Sequence, residues 1–393
     1  MKRLVPVLLW LLLMSLAFSC VDALAEDTEA QNITKKCTIK VSTNQNYRIR
    51  MTDAHQTSCW PCHSGDAITV KGPKDGRLVQ GFEIDFASEV PTVTVTAMDG
   101  ETLAVWNEPY RNGYVALSHP SDGFTITLTY EDPTLKLRVS TLRLYGEGEL
   151  PGTVQRWRMM EGKADLMLIA CHPDDELIWF GGLLPTYAGE KQKKVIVVNM
   201  SPEQDARVNE LLDGLWTCGV RDYPVIGTLA PIAGYSIRKV LDGWGEDGYL
   251  YVTRQIRKYQ PDVIVTHDVD GEYGHGAHRA TVRILTDLLP DKLADPTYDP
   301  ESAAEYGTWV PKKVYLHTWQ EGQIVMDWRQ PLAAFGGETS LEVGRRAFKK
   351  HVSQQDGQYA LQTFGAYDCR KFGLYYTTVG PDVKGDDFLE NID

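Results

Sequence analysis

The residues of this chain best equipped for chemistry lie in two short clusters. The first ends the stretch Leu166–Glu176, LMLIACHPDDE, where six apolar residues run straight into His172, Pro173, Asp174, Asp175 and Glu176. The second follows the apolar run Asp262–His267 and reads His267-Asp268-Val269-Asp270-Gly271-Glu272-Tyr273-Gly274-His275-Gly276-Ala277-His278-Arg279. Three carboxylates beside a histidine at the mouth of an apolar strand repel one another and lose solvation, and a bound cation relieves both. His275 and His278, three apart at a loop–helix junction, can present to one point. With a distant histidine and aspartate they make the three-ligand set, open at a fourth position, that catalytic zinc uses.

Both clusters need elements that aim them. An unbroken apolar run followed by helical periodicity reads as a buried parallel strand feeding a helix, and Pro173 suits the first turn of that helix. Glu176 then reads as a helix N-terminal charge favoured by the dipole. Open α/β sheets gather ligands at the carboxyl ends of their strands, which is where each cluster falls. Further strands are expected at Lys194–Met200, Tyr223–Ile226 and Lys312–His317, and helices at Asp205–Cys218, Asp247–Tyr259 and Ala277–Leu289. This alternation predicts an α/β fold, a Rossmann-like parallel sheet with helices on both faces. No G-x-G-x-x-G fingerprint follows the first strand, which argues against a dinucleotide cofactor.

The first part of the chain is of another kind. Lys2 and Arg3 precede the apolar run Leu4–Phe18, and Ala23-Leu24-Ala25 is a small-x-small box. Residues 1–25 therefore read as a signal peptide cleaved near Ala25, and the protein as secreted or displayed at the cell surface. No later segment has the apolar length of a membrane span. Residues 26–36 read as a polar linker carrying the sequon Asn32-Ile33-Thr34. From Cys37 to about residue 148, short alternating runs separated by Gly, Pro, Asp and Asn predict an antiparallel β-sandwich. Gly148, Pro151 and Gly152 mark a junction before the α/β part, which runs from about 155 to 393.

Six cysteines remain after the signal: Cys37, Cys59, Cys62, Cys171, Cys218 and Cys369. Export permits disulfides, but the spacing fixes no pairing. Cys171 and Cys218 read as small packed thiols. Cys59-Trp60-Pro61-Cys62-His63 spells a haem-attachment signature, yet its flanks are turn and strand where haem needs a helical pocket; a local disulfide or plain turn is the preferred reading. The formal charge of −13 argues against nucleic acid and anionic membrane surfaces as partners.

The segment HPDDE after its apolar strand, with GHGAHRAT after DVIVTHD, resembles the two signature motifs of the PIG-L/LmbE family, zinc-dependent deacetylases of N-acetylglucosamine-type substrates. Arg207-x-x-Glu210-Leu211 and His351-x-Ser353-Gln354 agree with it, and the resemblance runs from about Ala164 to the C-terminus. It implies that His172, Asp175 and His278 hold zinc or another divalent metal such as iron. Asp174 would be the general base, His275 the general acid and oxyanion stabiliser, and Arg207 a substrate contact. One position departs: Ala277 stands where the family carries an aspartate beside the zinc histidine, leaving Asp268, Asp270 and Glu272 as substitutes. The sandwich resembles discoidin-like carbohydrate-binding domains through Thr52-Asp53, Trp60 and the closing strand Leu142–Gly146. Together these imply an exported deacetylase acting on an amino sugar or glycan. The alternative is a carbohydrate-binding protein with a degenerate hydrolase domain, which missing metal ligands would mark. The aromatic-rich stretch 323–393 reads either as an extension of the sheet or as a wall of a sugar cleft.

Overall fold

The computed structural model describes residues 29–53, 55, 57–202 and 204–392. The signal-peptide expectation for residues 1–25 lies outside them. The chain divides into two compact units, 1–155 and 156–393.

In the first unit two antiparallel sheets form. One orders Thr38–Val41, Ala67–Lys71, Gly123–Thr129, Thr92–Ala97 and Thr102–Trp106; the other orders Trp60–Cys62, Leu137–Gly146, Val79–Phe86 and Asn112–Ser121. The alternating sequence explains the pattern, since residues two apart share a face. Ile68, Val70, Phe124, Ile126 and Leu128 of one sheet and Phe82, Ile84, Leu142 and Leu144 of the other are fully buried, and Phe82 stacks on Phe124 at 6.0 Å. Residues 29–36 are not the linker their polarity suggested. Glu29 and Asn32 bridge to Glu149 and Tyr145, and Ala30 and Ile33 are each 1 % exposed. Burial of these two apolar residues and backbone hydrogen bonds to Leu144, Gly146 and Glu149 seat the segment on the sandwich. Cys37, Cys62, Cys171, Cys218 and Cys369 carry free thiols, and Cys59 and Cys62 flank and end the strand Trp60–Cys62.

The second unit is built on a six-stranded sheet. Its strands are β1 (Leu166–Ala170), β2 (Val195–Asn199), β3 (Val263–Thr266), β4 (Lys313–His317), β5 (Gln323–Val325) and β6 (Lys371–Thr377), in the order β2-β1-β3-β4-β6-β5. The first four positions are parallel, while β6 and β5 add an antiparallel edge. The expected parallel sheet is thus present in β2, β1, β3 and β4, and its antiparallel edge makes the whole mixed. β1 to β4 are buried at every residue, which accounts for their continuous apolar sequences. The main helices are α1 (Asp175–Ile178), α2 (Asp205–Thr217), α3 (Ile237–Tyr259), α4 (Gly276–Leu288) and α5 (Ser340–Phe348). Helix α3 begins ten residues earlier than its periodicity indicated and breaks at Gly245, whose φ of 51° a side chain would resist. Tyr223–Ile226 makes only a one-residue parallel bridge, Val198 to Val225. Helix α1 stops after one turn. At Gly181, φ 54°, a Cβ would meet Cys369 Sγ at 2.6 Å, so the chain must turn there with no side chain.

Because β2 and β3 lie on opposite sides of β1, the strand order reverses between β1 and β3. Ligand crevices open at such switch points, outside the carboxyl ends of the strands. His172 and Asp175 follow β1 directly, and His267 to His278 follow β3.

Candidate active site

The two strand ends are tied together at their first polar residues. The Cys171 N–H donates to His267 Nε2 at 2.9 Å, and Thr266 Oγ1 donates to the Ile169 carbonyl at 2.9 Å. Beyond that tie, His172 Nδ1, Asp175 Oδ2 and His278 Nε2 form a triangle with edges of 3.1, 3.2 and 3.2 Å. The three residues are 6 %, 3 % and 1 % exposed. Metal–ligand bonds of about 2.0–2.1 Å in a tetrahedral site place neighbouring donors about 3.3 Å apart, so the triangle has the size of one face of such a site.

Each donor is held by a further partner. Asp175 Oδ2 accepts the His172 N–H at 2.7 Å and its Oδ1 accepts Trp179 Nε1–H at 2.7 Å. His278 Nδ1 lies 2.6 Å from Glu272 Oε2, so the proton sits on Nδ1 and the Nε2 lone pair faces the triangle. Glu272, its side chain fully buried, also meets His267 Nδ1 at 3.2 Å, His317 Nδ1 at 3.1 Å and the Asp268 N–H at 3.1 Å. Two rings and a carboxylate thus aim lone pairs at one point. A proton or a metal cation resolves that conflict. Burial works against protonation of His278, but Asp175 and Glu272 outweigh it and lift its pKa to about 10. Burial likewise opposes ionisation of Asp175, and His278 and His172 overcome it, holding the carboxyl well below the usual range. The donor set suits a divalent cation in its residue types and its spacing.

Asp174 stands beside the triangle in a backbone conformation with φ 120°, rarely adopted by L residues and typical of strain kept at functional positions. Its Oδ1 accepts from Arg207 Nη2 at 2.8 Å. Burial and then the Asp175 charge raise its pKa to about 7, against the lowering effect of Arg207. Arg207, expected against the substrate, lines the cavity but turns its guanidinium to Asp174 and the Pro173 carbonyl. A guanidinium only 7 % exposed needs such acceptors.

His275 lies against both ligand rings, 4.9 Å from His172 and 4.6 Å from His278 between centroids. Its Nδ1 is buried and has no hydrogen-bond partner among the described residues. None of the expected substitutes for the missing aspartate reaches it: Glu272 is engaged by three other histidines, and Asp268 by Thr318 and the Asp270 N–H. Burial, and then His278 and His172, push the His275 pKa down to about 3, so the ring is neutral at pH 7. As a neutral ring it offers one N–H and carries no extra proton for a leaving group.

Over these residues opens a cavity of about 150 Å³ lined by His172, Asp174, Asp175, Trp179, Tyr273, His275, Gln354 and Tyr359 among others. Tyr273 and Tyr359 stack at 4.3 Å, and Trp179 packs 5.4 Å from Tyr359 and 5.8 Å from Tyr367. The C-terminal stretch divides: β5 and β6 extend the sheet, while Tyr359 lines the cavity. Glu176 stands in the first turn of α1, as expected, but does not face solvent. It is fully buried, with Oε1 2.7 Å from His351 Nε2. Burial disfavours the His351 cation, yet Glu176 and Asp174 raise its pKa. Trp179, His317 and His351 were not singled out for the site; of the three, only His351 carried a signal, as part of the His351-x-Ser353-Gln354 string.

No family model matches the chain. It is 28 % identical over 206 residues to 1D-myo-inositol 2-acetamido-2-deoxy-alpha-D-glucopyranoside deacetylase 1 of Frankia casuarinae, covering 43 % of this chain and 64 % of that protein. The chain spans 60–65 % of the length of the first three curated relatives it matches, all of them deacetylases of that acetamido sugar conjugate. Among solved structures, N,N'-diacetylchitobiose deacetylase from Pyrococcus horikoshii aligns with a TM-score of 0.36 at 17 % identity, over 49 % of this chain and 71 % of that one. An F5/8 type C domain from Bacteroides fragilis aligns with a TM-score of 0.24 at 13 % identity, over 31 % and 97 %.

Proposed function

We propose that the second unit is a metal-dependent amidohydrolase that removes the acetyl group from an N-acetylglucosamine-type sugar or glycan, and that the chain is exported after cleavage near Ala25. The observation that carries the reading is the 3.1–3.2 Å triangle of His172 Nδ1, Asp175 Oδ2 and His278 Nε2 with the buried carboxylate of Asp174 beside it. His172, Asp175 and His278 would hold the metal. Zinc, or another divalent ion there, supplies Lewis acidity and brings the pKa of water near neutrality. Asp174, with its pKa near 7, takes the proton of the attacking water and returns it to the leaving amine. Arg207 keeps that carboxylate turned inward. His275 donates one N–H to the developing oxyanion, and the acid role expected of it passes to Asp174. Trp179, Tyr273 and Tyr359 provide aromatic walls suited to the C–H faces of a sugar. The degenerate-domain alternative lacks its sign, because all three ligands are present and converge.

The test is acetate release from a panel of N-acetylated amino sugars, before and after chelation and with zinc or iron restored. Metal-dependent release from at least one of them is expected; no release from any overturns the activity. N-terminal sequencing of protein recovered outside the producing cell tests export, with Glu26 expected first.

A further inference from the structure

Two sequence strings remote from the metal ligands, Arg207-x-x-Glu210 and His351-x-Ser353, close a frame around Asp174. On one side, Arg207 of α2 donates through Nη2 to Asp174 Oδ1 and to the Pro173 carbonyl. One turn along the same helix, Glu210 accepts the Ser353 N–H at 2.9 Å and Ser353 Oγ–H at 2.6 Å. Two residues back from Ser353, His351 meets Glu176 Oε1 at 2.7 Å, and Glu176 Oε2 accepts the Asp174 N–H at 2.8 Å. The circuit returns to its starting residue. Glu176 and His351 are fully buried, and Glu210 is 2 % exposed. A glycine makes the room: a Cβ at Gly214 of α2 would lie 3.1 Å from His351 Nε2.

We propose that Glu176 and His351 are positioning residues for Asp174. They do not touch the cavity's reacting groups; they hold the strained backbone from which the Asp174 carboxylate points into it. The physical argument has two parts. A φ of 120° is one that L residues rarely adopt, and it persists only where neighbours over-determine it. The Asp174 N–H is fixed by one carboxylate oxygen, and that carboxylate is fixed by the one ring held against its other oxygen. Arg207 pulls the side chain and the preceding carbonyl from the opposite direction. A small rotation here re-aims the carboxylate without moving Asp175, whose own oxygens are held by His172 and Trp179.

The inference rests on the reading of Asp174 as the proton acceptor, and the test separates the two. In full-length Glu176→Gln, the amide can serve the Asp174 N–H or the His351 ring but not both in their present roles. Bound metal and KM are expected to stay within about twofold while kcat falls about 10- to 100-fold, as for loss of an orienting partner. His351→Ala should show the same split, and His351→Gln, which still offers an N–H to Glu176, should recover most of the loss. Independently of turnover, the Asp174 amide should be protected from hydrogen exchange in the wild type and exchange faster in Glu176→Gln. Unchanged kcat and unchanged Asp174 exchange in both variants overturn the proposal. Equal losses of metal, KM and kcat mean a merely structural role and overturn it too. A wild type that deacetylates nothing, yet loses Asp174 protection in Glu176→Gln, refutes the activity and leaves the frame standing. Should Glu176→Gln not fold, the His351→Ala and His351→Gln pair carries the same readouts.

Discussion

Of the glutamates whose carboxylates are buried, Glu83 of the first unit and Glu272 of the second are used in opposite ways. Glu83 of the sandwich, 5 % exposed, accepts the Tyr145 hydroxyl at 2.6 Å, Arg143 Nη1 at 3.4 Å and the Gln155 N–H at 3.3 Å. Those contacts form a closed set of donors around one carboxylate. Glu272 of the α/β unit is surrounded instead by three imidazoles, each with a second nitrogen to place. The second nitrogen of His267 accepts the Cys171 N–H, and that of His317 meets the Asp368 carbonyl. That of His278 lies 3.2 Å from both the Asp175 carboxylate and His172 Nδ1, closer than His267 Nε2, which is 3.6 Å from the same carboxylate. Burial of a carboxylate therefore marks a functional centre when its partners pass the electrostatic conflict onward, and a structural one when they absorb it.

The largest effects should come from breaking the outward-aimed side. His278→Ala is expected to lose most of the bound metal and, with it, acetate release, by elemental analysis and activity on the same sample. Full occupancy in that variant would remove the comparison's basis. Asp175→Asn should also shed metal. Asp174→Asn should keep it and lose about two or more orders of magnitude in turnover; the reverse pattern means the adjacent carboxylates have exchanged roles. Asp174 also makes a prediction about stability in the metal-free protein. Its folded pKa is about 7, above its ordinary 3.8, so folding favours the protonated form. That stabilisation is fully present below about pH 4 and is lost as pH rises through about 7. Asp174→Asn has no such loss. Its Tm advantage over the wild type should grow between pH 4 and 7 and then level off, whereas a gap constant with pH would contradict the raised pKa.

A smaller effect is expected one bond further out. Glu272→Gln leaves His278 in place but weakens the acceptor that fixes its tautomer, and should reduce metal affinity about 10- to 100-fold. Competition against a metal indicator dye measures it directly; unchanged affinity would make Glu272 no different from Glu83.

Legibility in the sequence followed the range of the interaction. The apolar runs ending at Ala170 and Thr266 could be read as parallel strands because every residue in them is buried, and the clusters following them fell where such strands place ligands. The order β2-β1-β3, which brings the two clusters together, was expected as a possibility of the topology and not read from any residue. Pairings between distant side chains left no pattern. Glu176 and His351 are 175 positions apart, and a glutamate at a helix start looks the same whether it faces water or a buried imidazole. The end of helix α1 was not legible for the same reason: the Cys369 thiol that forbids a side chain at Gly181 arrives from near the other end of the unit. Residues 29–36 were misjudged by composition, since burial of Ala30 and Ile33 and backbone hydrogen bonds to Leu144, Gly146 and Glu149 seat that polar segment.

The smallest effect on function is expected in the sandwich, from Glu83→Gln. The substitution keeps the size of the side chain and replaces one accepting oxygen by an amide NH₂. Its remaining oxygen can face Tyr145 or the Gln155 N–H, so one donor meets an NH₂ where it met an acceptor. Leaving one buried donor unsatisfied costs about 1–3 kcal/mol. The Tm of the first unit's transition should fall by several degrees, followed by calorimetry on the whole chain. Metal content and kcat/KM on a small soluble N-acetyl sugar should stay at wild-type values, because every hydrogen-bond partner of Glu83 named here belongs to residues 1–155 and none carries a lone pair to a ligand set. If turnover of the small substrate drops while metal stays bound and the second unit stays folded, the sandwich takes part in the chemistry. Glu83 would then have to be counted with Glu272, and the closed network would no longer distinguish structure from function.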